Sequence, residues 1–193
     1  LLSLWLERCY KEVSKQEVNK YNKDNINILV NYIKECAKNN IFNKDKLIKK
    51  FNENGIFLAI ENDLKGSKIR GAFKVLNYKP AIYITKKHKR YADIYFALLH
   101  ELAHCKSDFN RAKRGSIITT EDDKSEEDYE IKADKTALNW MINDQEYELT
   151  KNKYNDINNL NLIKSFYVYR LAKDKIIEYS SNLYQENNKI IKD

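Results

Sequence analysis

Apolar residues recur at intervals of three and four along the first fifty positions. Leu2, Trp5, Leu6, Cys9 and Val13 form one stripe, and Ile26, Leu29, Val30, Ile33 and Ala37 form a second after Asn25. Such spacing lines one face of an α-helix, so two amphipathic helices are predicted to open the chain. A third is expected from Asn43, whose side chain suits an N-cap, through Leu47, Ile48 and Phe51 to Gly55, which suits the left-handed position just past a helix end. The period then changes. Residues 56–60 are an apolar run, and residues 71–76 and 81–85 read as strands joined across Asn77, Tyr78, Lys79 and Pro80, which predicts a small, mostly antiparallel three-stranded sheet. Helical spacing returns at Tyr91 with Tyr95, Leu98, Leu99 and Leu102. Residues 108–125 are polar enough to predict a loop. A helix is expected over about 126–141, and helical spacing resumes through Ile163, Tyr167, Leu171 and Ile177.

Composition narrows this picture. A chain of 193 residues with 42% hydrophobic and 33% charged positions has the balance of a globular domain, and its 4 Gly and 1 Pro leave few helix breakers. The expected class is therefore α+β and mainly helical. It is read as a single domain over 1–193, with a helical lead-in over 1–50 and the sheet and remaining helices over 51–193. The net charge of +7 raises the question of nucleic acid. However, the basic stretch from Lys86 to Arg90 is offset by acidic runs such as Glu121, Asp122 and Asp123, and there is no finger spacing, phosphate loop or aromatic-basic strand. Nucleic-acid binding by this chain alone is not expected. The three cysteines, Cys9, Cys36 and Cys105, are widely spaced, and the first two lie on apolar helix faces, which predicts buried free thiols in a reducing compartment. No apolar run approaches the length of a membrane span and no signal peptide is recognisable, so the expected location is cytoplasmic. The chain begins at Leu1 rather than Met, and is expected to be a fragment.

Chemistry is concentrated in the helix predicted from Tyr91. It carries His100-Glu101-Leu102-Ala103-His104, and these two are among only 3 histidines in the chain. Residues four apart on a helix lie one above the other, so the two imidazoles face one point with Glu101 beside them. A catalytic zinc takes three protein ligands and keeps one position open, so a third ligand is required. Glu130 is the best candidate, because it lies on a helix face that continues through Ala133, Asp134, Ala137, Leu138 and Met141 and is otherwise apolar. Two carboxylates on such a face are costly unless satisfied; a metal ion would satisfy Glu130, and an imidazole N–H, with His100 preferred, would satisfy Asp134. Ala133 and Ala137 are small enough to let the two helices approach closely. Glu101 is left as the general base that takes a proton from water.

The remaining candidates have simpler readings. Cys105 projects away from His104 into the core, Asp93 and Asp108 read as helix-end or loop residues, His88 as solvent-facing, and the acidic run 121–127 as a solvated loop. Residues 81–85, and within them Ile82, Tyr83 and Ile84, are expected to bind substrate if that strand forms a sheet edge, where an extended peptide can pair with it. The donor that stabilises the oxyanion is left unassigned among the many tyrosines and arginines.

The segments Ile82-Tyr83-Ile84-Thr85, the ten residues from Tyr95 to His104, and Glu130-Ile131-Lys132-Ala133-Asp134 together resemble the ImmA/IrrE family of metallopeptidases; residues 66–71 and Arg170-Leu171 also fit. The resemblance runs over about residues 51–179 and rests mainly on the histidine motif and the Glu-x-x-Ala-Asp segment. It implies a zincin fold and one zinc ion, with His100, His104 and Glu130 as ligands and Glu101 as the catalytic glutamate. It further implies a regulatory protease, often encoded in mobile elements, whose protein substrate is a helix-turn-helix transcriptional repressor. Many relatives carry an N-terminal Xre-type helix-turn-helix, none is recognisable here, and such a domain would lie outside this chain. The alternative is a regulatory or antitoxin module that retains the zinc site for stability or partner binding and cleaves nothing.

Overall fold

The computed structural model describes residues 1–121 and 127–192. Helix α1 (Leu2–Val13) is followed by α2 (Ile26–Lys38) and α3 (Lys44–Glu53), close to the predicted bounds. The Asn43 side chain accepts a hydrogen bond from the backbone N–H of Lys46, capping α3 as expected. Past its end, Gly55 has φ +84°, and a side chain there would collide with the Tyr21 backbone.

Three strands come next, β1 (Phe57–Glu61), β2 (Ile69–Leu76) and β3 (Lys79–Thr85). Asn77 and Tyr78 both take positive φ between β2 and β3, as a two-residue hairpin turn of the type that follows strand twist requires. A fourth strand, β4 (Ile117–Thr120), corrects the sequence expectation: it lies in the segment read as a loop, after helix α4 (Tyr91–Ser107) and the short α5 (Phe109–Ala112). The sheet is four-stranded and mixed, in the order β1-β3-β2-β4, with β1 parallel to β3 and the other pairs antiparallel. Neither the parallel pair nor the fourth strand follows from the local pattern. The direction of β1 against β3 depends on the route of the connection through residues 62–68, and four residues are too few to show a period.

This order also corrects the expected sheet edge. β3 lies between β1 and β2, its backbone pairs on both sides, and Ile82, Tyr83 and Ile84 are fully buried. The two faces of the sheet explain why. Tyr83 points toward α1, where it meets Trp5 edge-on at 6.3 Å between ring centroids, along with Cys9, Val13, Ala59, Ile69 and Ala72. Ile82 and Ile84 point the other way, with Leu58, Ile60 and Phe73, into the larger core beneath α2 and α4. A strand covered on both faces reads as a continuous apolar run.

The C-terminal part is α6 (Asp128–Met141), α7 (Asp144–Thr150), α8 (Lys164–Lys173) and α9 (Asn182–Asn187). Ile177 falls between α8 and α9, outside the helix predicted for it. Arg170 of α8 donates to the carbonyls of Leu138 and Ile142 at the C-terminal end of α6. The three cysteines are buried free thiols, as expected. Among the described residues no helix is long and apolar enough to cross a membrane.

Candidate metal centre

Helix α4 is buried over most of its length and packs beneath the sheet, so the polar groups of its His100–His104 segment are enclosed by the fold. His100, Glu101 and His104 are 3%, 1% and 0% exposed. Helix α6 packs against α4 through Ala133 and Ala137, both buried, and this close approach brings Glu130 to the histidines. The Nε2 atoms of His100 and His104 lie 3.0 Å apart; Glu130 places Oε2 at 3.0 Å from the first and Oε1 at 3.1 Å from the second. These three residues form a buried group able to hold a metal ion.

The donor atoms fit that use. Ligands of a tetrahedral zinc with bonds of about 2.0–2.1 Å stand about 3.3 Å apart, close to the observed triangle. Each histidine has a carboxylate on its other nitrogen: His100 Nδ1 is 2.8 Å from Asp134 Oδ1, and His104 Nδ1 is 2.9 Å from Asp108 Oδ2. A proton held on Nδ1 by the carboxylate leaves the Nε2 lone pair pointing into the triangle. Two lone pairs and a carboxylate converging in a buried space repel one another unless a cation or protons sit among them. Glu130 Oε1, although near His104 Nε2, is out of line for a hydrogen bond and has no other partner, and Glu101 Oε2 is likewise buried without one. Acceptors left in this state are costly.

Electrostatics in the metal-free protein follow from the crowding. Burial works against charge on His100, yet its hydrogen bonds to Asp134 and Glu130 and the nearby Glu101 push it up to about 9; His104 is raised against burial by Glu130, Glu101 and Asp108. Against its own burial, Glu130 is brought down to about 2 by the two histidines. Burial raises Glu101 above the ordinary carboxylate range, opposed by the imidazoles. The site thus holds protons that a metal ion would have to displace.

The structure brings His100, Glu101, His104, Glu130 and Asp134 together as the sequence predicts. It places Ile82, Tyr83 and Ile84 in the core instead. It also adds three residues that the sequence reading missed. Asp108, expected from the sequence to be a helix-end or loop residue, stands four after His104, which repeats the spacing of His104 from His100. Thr119 of β4 lies 3.4 Å from His100 Nε2 and hydrogen-bonds Glu101; the β-branched run Ile117–Thr120 was the available signal. Gly71 of β2 approaches Glu101 so closely that a Cβ there would lie 2.5 Å from Oε1.

Other candidates fall elsewhere. Asp93 accepts from Asn188 and Tyr184, tying the start of α4 to the C-terminal segment, and Cys105 faces the Tyr21 hydroxyl. His88 is half exposed and bonded to Glu121. Of the acidic run 121–127, residues 122–126 lie outside the described residues.

A family model described as Peptidase U49 matches residues 79–168, from β3 to the first half of α8. The match contains the whole ligand triangle, Glu101, Asp108, Thr119 and Asp134, and supports a peptidase. It spans less than half of the chain and bears a different name from the ImmA/IrrE family that the motifs resemble; peptidase activity is what the two have in common. No curated protein matches the sequence.

Proposed function

We propose that this chain is a zinc-dependent endopeptidase acting on a protein partner. The observation that carries the proposal is the position of Glu101, buried at the edge of the His100–His104–Glu130 triangle with one carboxylate oxygen unpartnered. A site serving only stability closes its metal with a fourth ligand and has no use for a base at that place. When bound to the three ligands, zinc supplies Lewis acidity that activates water and polarises a carbonyl. Glu101 accepts the proton of the attacking water and delivers it to the amine nitrogen that leaves, a role favoured by burial that raises its proton affinity. Asp134 and Asp108 hold the imidazoles in orientation through their Nδ1 atoms, while Thr119 and the bare backbone at Gly71 confine the Glu101 carboxylate.

The substrate strand proposed for β3 passes to β4. β4 has β2 on one side and, among the described residues, no strand on the other, and it carries Thr119 at the site. An extended segment paired along that outer edge would lie across the ligand triangle. The resemblance to ImmA/IrrE makes a helix-turn-helix repressor the proposed substrate and the cytoplasm the proposed location.

Metal analysis of the purified protein, together with incubation of wild type and Glu101→Gln with a repressor encoded beside the gene, tests this. Expected are one zinc per chain in both forms and cleavage by wild type, with the variant slower by about 10²–10⁴-fold. Stoichiometric zinc without Glu101-dependent cleavage of any protein would favour the binding module, and failure of both forms to take up metal would remove the site.

A further inference from the structure

Beside the ligand triangle lies a cleft of about 700 Å³ that the mechanism above does not use. Its charged lining is predominantly basic: Arg70, Lys87, Lys89, Arg90 and Lys173 against Asp93 and Glu121. Both acids are already engaged. Glu121 is held by Lys87 and His88, and Asp93 accepts from Asn188 and Tyr184. Arg90 is anchored by neutral acceptors, the Asn188 carbonyl and the Gln185 amide oxygen. The cleft therefore presents more cationic charge than its own acids neutralise.

Arg70 joins this cleft to the metal centre, since it lines both the cleft and the small cavity formed by Phe96, His100, Glu101, Thr119 and Asp134. How it gets there is visible in β2. Same-face residues in a regular strand are two apart, yet Ile69 and Ala72 both pack on the α1 side, while Gly71 and Phe73 face α4. The extra residue is taken up by a bulge between Ile69 and Gly71 against β4. The bulge leaves Arg70 and Gly71 on one side of the strand instead of opposite sides. The guanidinium therefore lies on the α4 side, over the Phe96 ring at 5.5 Å and beside Tyr169. Among the described residues Arg70 has no carboxylate within ion-pair distance, and Lys173, 4.1 Å above the same ring, has only Asp134 at 3.9 Å. A partly desolvated guanidinium with most of its donors unused, turned toward a reaction centre by a backbone irregularity, is built to receive a carboxylate.

We infer that this cleft selects the substrate: the protein cleaved carries an acidic segment, rich in Asp or Glu, that lies in the basic cleft on one side of the scissile bond, with Arg70 reading the carboxylate nearest the metal centre. The inference rests on the peptidase reading, and its test separates the two. Binding is measured by fluorescence anisotropy on metal-loaded Glu101→Gln protein, whose slowed cleavage leaves the peptide intact during the measurement, with two end-blocked peptides of one sequence that differ only in Glu against Gln. The Glu peptide should bind about ten-fold tighter at low salt, with the difference shrinking as ionic strength rises. Arg70→Gln should abolish the preference and Arg70→Lys restore part of it; Lys89→Glu, an exposed change that spares the core, should weaken it independently of any folding effect of Arg70→Gln. Cleavage by wild type should show the same preference in KM rather than in kcat.

Equal binding of the two peptides overturns the inference even if both are cleaved. So does a preference that appears only with a free C-terminal carboxylate, which would indicate reading of a chain end, and so does tighter binding of a single-stranded oligonucleotide of equal charge. Charge-selective binding without cleavage by wild type would uphold the cleft and remove the peptidase reading.

Discussion

Glu101 occupies space that a single methyl group on the neighbouring strand would take. Gly71 does not take positive φ, so the constraint on it is steric: an added Cβ would stand 2.5 Å from Glu101 Oε1 and 3.0 Å from the Tyr83 carbonyl oxygen. The end of a flexible side chain gives way more easily than a strand, so Gly71→Ala should move Glu101 and leave the fold and the three ligands in place. A displacement on the order of 1 Å of a catalytic group lowers turnover about 10²-fold. If Glu101 is the base as proposed, steady-state kinetics alongside zinc stoichiometry should show kcat falling by about that factor with zinc retained, and undiminished kcat would overturn the placement of Glu101 against β2 in the reaction. The same scale shows why Glu130 was legible and Asp108 was not. Glu130 interrupts an apolar helix face, a pattern that demands a partner, whereas Asp108 stands at a helix end where an aspartate is unremarkable until His104 is seen beside it.

Two helices make the centre, and what couples them is small side chains. Ala133 and Ala137 are 3% and 0% exposed in the contact of α6 with α4, and Arg170 secures the far end of α6 through the Leu138 and Ile142 carbonyls. Enlarging the contact should push α6 outward and draw Glu130 off the histidines. Ala137→Leu is expected to cost about 1–3 kcal/mol of stability by overpacking and to weaken zinc binding as well. Chemical denaturation and competition with a chelating indicator measure the two effects; destabilisation with unchanged zinc affinity would show that Glu130 does not depend on the spacing of the helices. Helix bounds were close to the sequence expectation because capping and apolar period act locally. Strand arrangement was not, because pairing partners are chosen across the chain: β4 acquires its identity only by lying beside β2.

At the scale of the whole molecule, the buried histidines and Glu130 tie stability to pH. His100 in the metal-free protein is raised from 6.5 to about 9, so its contribution is fully present below pH 6.5 and is lost as pH rises through 9. Glu130, lowered from 4.5 to about 2, contributes above pH 4.5 and loses that contribution as pH falls through 2. The metal-free centre therefore supports the fold best between those limits, about pH 4.5–6.5. Zinc bound as proposed would have to displace the protons on the histidines, so its stabilising effect would grow as pH rises. Thermal melts with and without zinc between pH 6 and 8 should show a gain in Tm that increases with pH, and a gain independent of pH would argue against ligation by His100 and His104.

The sequence by itself determined the ligand spacing on α4, the carboxylates on α6 and most helix bounds, since each depends on residues a few positions apart on one element and on the 3.6-residue turn that sets their directions. Tertiary structure decided what no local period encodes. It placed β3 inside the sheet and so took the substrate edge from Ile82, Tyr83 and Ile84. It also brought Asp108, Thr119 and Gly71 around the motif, and through a bulge set Arg70 on the same side as Gly71, beside the candidate metal centre. Those outcomes arise from strand order and packing between segments far apart in the chain, where the geometry of one element carries no record of its neighbours.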